Sequence, residues 1–159
     1  MRRVILLLTA VALVGCGGSA NNTTTTTAAA PPGPGTTLYA GGDWAVVLDG
    51  DHATAFHRVA GAWKSDTSGA VKIRILAPDG NVAPTPQVAA ELSAKRPLIE
   101  SGMWVDGKEL LVKGGGLTST KGTIYGAPGT PLTKGMHVAV AYARTDEHAT
   151  AVAWSFRVV

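Results

Sequence analysis

The chain has 159 residues, with 14 Lys+Arg against 11 Asp+Glu and a single cysteine, Cys16. One thiol excludes an intramolecular disulfide and a metal site built from several thiolates. No block of like charges occurs along the chain, so the electrostatic footprint of a nucleic-acid binder is missing and no such partner is expected.

The first element, residues 1–15, reads "MRRVILLLTAVALVG". Arg2 and Arg3 supply a positive start, Val4 to Val14 are apolar except for Thr9, and the small Gly15 precedes Cys16. This is the layout of a secretory signal peptide. The apolar run is too short to span a bilayer, which takes about 20 residues. Leu13-Val14-Gly15-Cys16 resembles the lipobox of bacterial lipoprotein precursors. The resemblance implies transfer of diacylglycerol to the Cys16 sulfur, cleavage before Cys16, and acylation of the new amino terminus by a palmitate-type chain. Anchoring is the physical use of such a cysteine, since each buried CH₂ contributes about 0.8 kcal/mol and two or more chains hold stably where one does not. An ordinary cleaved signal with an incidental cysteine is the alternative. Cleavage removes Arg2 and Arg3 and leaves 12 basic against 11 acidic residues. Gly17 is not the aspartate that retains many lipoproteins in the inner membrane. The resemblance therefore implies the outer membrane of a cell that has one, and otherwise the outer face of the cytoplasmic membrane.

After Cys16, residues 17–37 ("GGSANNTTTTTAAAPPGPGTT") carry no charge and no large apolar side chain, so residues 16–37 are expected to form a disordered tether. As a flexible coil it spans about 25 Å. Leu38 to Val159 is the folded part and is long enough for one core. Short runs rich in Val, Ile, Trp and Tyr alternate there with Asp-Gly, Gly-Gly and Pro-Asp-Gly turns. "DWAVVL" and "ATAFHRV" flank "DGDH" as a hairpin. "AVKIRIL" puts Val71, Ile73 and Ile75 on one face and Lys72 and Arg74 on the other. "PQVAAELS", "ESGMWV", "GTIYGAP", "GMHVAVAYART" and "ATAVAWSFRVV" complete eight or nine strands, and the fold class is all-β.

From about Leu76 to Val159 the turns and core positions resemble bacterial Ig-like repeat domains. The residues that carry this are "LAPDGNVAPTPQVAAELS", "MWVDGKEL" with its central Asp-Gly, and a closing hairpin with Leu132, Gly135, His137 and Trp154-x-Phe156-x-Val158. The resemblance implies an antiparallel β-sandwich over residues 76–159, with His137 in a structural role. The chain departs from that pattern at Ala139, Ala141 and Ala143, opposite the apolar Val138, Val140 and Tyr142. A strand apolar on both faces is covered on both faces. Residues 38–75 are expected to supply the cover as an added hairpin packed on the sandwich, with burial by a partner as the competing explanation.

The candidate chemistry is sparse. His52 and His57 fall on opposite faces of an extended strand, which argues against shared metal ligation. "TDEH", Thr145 to His148, is compared with the late Asp-Gly-His turn of CopC-like copper-binding sandwiches, but Glu147 stands where glycine would be. "KGGGLTSTKG", Lys113 to Gly122, lacks the glycine before its lysine and the following helix that a phosphate loop needs. No Gly-x-Ser-x-Gly or His-Glu-x-x-His motif occurs, and no enzyme activity, metal or cofactor is expected. Trp44, Trp63 and Trp104 are the candidate binding residues, as aromatics that stack on sugars or anchor a protein partner; the alternative is that they are core and simply cover Val138, Val140 and Tyr142. Three functions stay open: a membrane-anchored, non-catalytic binding or assembly protein with an envelope protein partner; a glycan-binding module using those tryptophans; and a CopC-like metal-binding sandwich.

Overall fold

The computed structural model of the chain describes residues 34–114 and 119–159, which form strands and turns without a helix. The strands are β1 (Thr36–Gly41), β2 (Trp44–Asp49), β3 (His52–Val59), β4 (Ala62–Ser65), β5 (Val71–Ala77), β6 (Asn81–Val82) and β7 (Val88–Ala94). They continue with β8 (Glu100–Val105), β9 (Lys108–Glu109), β10 (Lys113–Gly114), β11 (Lys121–Gly126), β12 (Gly135–Arg144) and β13 (Ala149–Val158). The β8–β9 turn shows why the sequence breaks where it does. Asp106 and Gly107 both take positive φ, 49° and 77°, the mirror-image two-residue turn that suits strand twist and favours Asp-Gly.

Three sheets result, in the orders β1-β2-β3-β4, β10-β11-β7-β5 and β6-β13-β12-β8-β9. The second and third form an Ig-like β-sandwich. Counting from β5 and leaving out the short β6 and β9, strands one, two, five and four face strands three, six and seven. The β6–β13 pair is parallel and the other pairings are antiparallel.

The β12–β13–β8 sheet is the middle layer, and side-chain parity explains it. Ala139, Ala141 and Ala143 face the outer β5–β7–β11 sheet, with Met103, Trp154 and Phe156 beside them and Leu92 and Ile124 opposite. Val140, Tyr142 and Trp104 point the other way and pack under Trp44, Val46 and Ala55 of the first sheet. Small residues on one face and large ones on the other let the middle sheet approach two neighbours. Trp104 also explains Gly102: a Cβ there would lie 2.6 Å from the indole ring.

The N-terminal cover contains the expected hairpin as β2–β3 and extends it on both edges. It is a four-stranded sheet, because "TTLYAG" and "AWKS" pair onto the edges of the β2–β3 hairpin as β1 and β4. Thr36 and Thr37 pair with Leu48 and Val47, so the strand begins inside the stretch assigned to the tether. The division after Ile75 cuts through β5, whose register with β7 assigns it to the sandwich. The expected signal peptide, Cys16 and the tether up to residue 33 lie outside the described residues.

Asp66, at the junction between the first sheet and the sandwich, is a polar fastening of the two, as is the bond that the Tyr39 hydroxyl of β1 donates to Glu100 of β8 (2.7 Å). The Asp66 carboxylate accepts N–H bonds from Ser68 (2.9 Å) and Ala149 (2.8 Å) and faces His148 Nδ1 at 3.1 Å. Burial works to raise its pKa, and the bonds from Ser68, Ala149 and His148 more than reverse this, holding the carboxyl below the usual aspartate value.

Candidate functional site

The tryptophans do not form a surface platform. Trp44 and Trp104 are 6% and 3% exposed, side by side in the core between the first and middle sheets, so these two candidate binding residues are off the surface and cover the middle sheet instead. The reason is parity: Trp44 shares the face of Val46, and Trp104 the face of Val140 and Tyr142 through cross-strand pairing. His57 stacks on the outer side of Trp44 at 3.9 Å, and the Arg144 guanidinium lies 5.5 Å from the Trp44 ring. Trp63 is half-buried on β4, with the Arg58 guanidinium 4.8 Å from its ring.

The histidines are likewise dispersed. His52 sits exposed beside Asp51, His57 on Trp44, and His148 against Asp66. Among the described residues no three His, Cys, Asp or Glu side chains converge as a metal site. In the "TDEH" turn the Thr145 hydroxyl accepts the N–H groups of Glu147 (3.3 Å) and His148 (3.0 Å), while Arg96 pairs with Asp146 and Glu147. His137 is the buried one. Its Nδ1 lies 2.6 Å from an Asp106 carboxylate oxygen and its Nε2 2.8 Å from the Thr133 carbonyl. Both neighbours accept, so the ring satisfies both bonds only when each of its nitrogens carries a proton. The Asp106 bond, then the Thr133 bond, raise its pKa against the opposing effect of burial.

A different surface emerges from the outer sheet. In β7, Val88, Ala90 and Leu92 face the core, so Glu91 and Ser93 face solvent. Register then builds rows across the sheet. Lys72, Ser93 and Lys121 stand side by side, and Arg74, Glu91 and Thr123 form the next row. Beyond these, Tyr125 pairs with Lys113. Lys95 follows Ser93 and lines the same groove, of about 520 Å³, with Lys72 and Lys121. A second groove of about 450 Å³, lined by Tyr125, Leu111, Gln87, Thr85 and Lys113, closes the other end. The Tyr125 ring packs over Gly114, where a Cβ would come within 3.0 Å of it, so its orientation is held by the edge strand.

This face is basic because its carboxylates are spoken for. Arg74 engages Glu91, the one acid in these rows, and Arg96 engages Asp146 and Glu147 at the near end. Lys72, Lys95, Lys113 and Lys121 have no ion pair among the described residues. The residues outside the description contain no Asp or Glu. Sequence reasoning missed this face because its lysines lie on four different segments. The signal was present in fragments, as the alternation of Lys72 and Arg74 with Ile73 and of Lys121 and Thr123 with Ile124. Only strand pairing puts the fragments on one surface.

Compared with models of protein families and with curated proteins, the chain matches none.

Proposed function

We propose that the protein is a lipid-anchored component of the bacterial cell envelope whose folded part binds rather than catalyses. The observation that carries this reading is Leu13-Val14-Gly15-Cys16, set behind Arg2, Arg3 and an apolar run too short to span a bilayer. Diacylglycerol on the Cys16 sulfur and an acyl chain on its amino group anchor the chain stably. The anchor lies in the outer membrane of a two-membrane cell and otherwise on the outer face of the cytoplasmic membrane. The Ig-like sandwich supports a binding role through the use of its polar groups. Asp66, His137 and His148 are committed to bonds that fasten turns and sheets, and the free charges on the outer sheet are lysines.

Expression of the full chain in a bacterium fed labelled palmitate tests the anchor. The chain is expected to take up label and sediment with membranes. Cys16→Ser is expected to abolish the label and release the folded part from the membrane fraction. Label that persists in Cys16→Ser, or mass spectrometry that finds the mature amino terminus anywhere but Cys16, refutes the reading.

A further inference from the structure

The basic face of the outer sheet has a composition that specifies its ligand. Lys72 and Lys121 flank the Ser93 hydroxyl across two strand spacings of about 4.8 Å each, so both ammonium groups can reach one anionic group seated over Ser93. Lys95 extends the positive charge past that row, and Lys113 repeats it at the far end beside Tyr125. Lys121 and Tyr125 are four residue steps apart on β11, a run of about 13 Å along the strand. Between and beside the cations lie the hydroxyls of Ser93, Thr123 and Thr85, the Gln87 amide, and the half-exposed Tyr125 ring.

We propose that this face binds an anionic polysaccharide of the cell envelope. Its acidic groups lie over the Lys72–Ser93–Lys121 row, and a sugar ring lies against Tyr125 in the groove with Gln87 and Thr85. This rests on the envelope location proposed above. One feature selects a polysaccharide over the membrane surface itself. Hydroxyl, amide and aromatic groups interleaved with separated charges suit a chain of hydroxylated rings carrying spaced acids.

The test uses the full chain, carried in phosphatidylcholine nanodiscs, titrated with carboxymethyl dextran and with uncharged dextran of equal length. Binding to the charged polymer alone is expected, weakening as salt rises from 50 to about 300 mM, as it must for exposed charges. Lys72→Gln/Lys121→Gln is expected to weaken it about tenfold, the loss of two exposed charge contacts. Lys95→Gln is expected to weaken it about threefold. Lys64→Gln/Lys108→Gln, on the other two sheets, is expected to stay within twofold of the parent. Unchanged thermal midpoints establish that the variants are folded. Equal affinity for the two dextrans, an unaltered double variant, or equal loss in the Lys64/Lys108 control overturns the proposal. Displacement of the polymer by phosphatidylglycerol vesicles at matched charge overturns it in favour of a membrane surface. Mass analysis of Cys16 in the same preparation reports the anchor independently: a lipidated chain that ignores the polymer refutes the ligand, and an unlipidated chain that binds it refutes the anchor.

Discussion

Trp104→Ala is expected to lower the unfolding free energy by about 3–5 kcal/mol, the range for removing a large aromatic from a core that cannot collapse around the gap. Trp104 is 3% exposed and sits where the first sheet meets the middle sheet, among Trp44, Val140 and Tyr142. The hole cannot close easily. Gly102 beneath the ring has no side chain to move into it, and the two sheets are fixed by their own hydrogen-bond ladders. Equilibrium urea unfolding followed by circular dichroism measures the effect. Trp63→Ala, at a half-buried position on the surface of the first sheet, is expected to cost less than Trp104→Ala. A Trp104→Ala loss below about 1 kcal/mol refutes the packing of the first sheet on the sandwich described above.

Removal of the His137 side chain is expected to cost about 2 kcal/mol in acid and progressively less in alkali. The figure is that of one charge-assisted hydrogen bond, kept to the lower part of its range because the Asp106 side chain is 43% exposed. The other Asp106 carboxylate oxygen accepts the Val138 N–H at 3.0 Å, so the pair ties the β8–β9 turn to the start of β12. The folded-state pKa of His137 is raised, which fixes the sign. Its stabilisation is complete below the unfolded value of about 6.5 and is lost as pH rises through the higher folded value. Wild-type stability is therefore expected to fall across that window while His137→Ala stays flatter, as urea midpoints from pH 5 to 9 show. An imidazole that titrates below 6.5 by NMR contradicts the assignment of two acceptors to its two nitrogens.

These two residues also show how far the sequence could be read. His137, after Gly135 at the start of a strand, is assigned a structural role by the Ig-like pattern, and it has one. Its partner Asp106 is 31 positions away and is recognisable only as a turn former. Trp104 has the composition of a binding aromatic and the position of a core residue. Nothing local decides between them, because a strand residue faces core or solvent according to what the sheet packs against. Tyr125 is the converse case. It lies in "GTIYGAP" beside the fully buried Ile124 and faces solvent by alternation, yet it gains meaning only next to Lys113 and Gln87.

What the sequence determined by itself is whatever depends on near neighbours. Alternation set the main strands and their buried faces, Asp-Gly and Gly-Gly set the turns, and the apolar run before Cys16 set the expectation of an anchored envelope protein. Double-sided apolarity in β12 even foretold that the middle strand needs two covers. Tertiary structure decided the rest: that the first cover is a four-stranded sheet beginning at Thr36, that β5 belongs to the sandwich, and that Trp44 and Trp104 are buried. It also decided that lysines from separate strands share one face. Hydrophobic period is a property of a few consecutive residues, whereas register and layer order are set by contacts between segments tens of residues apart, and charge acts through space and not along the chain.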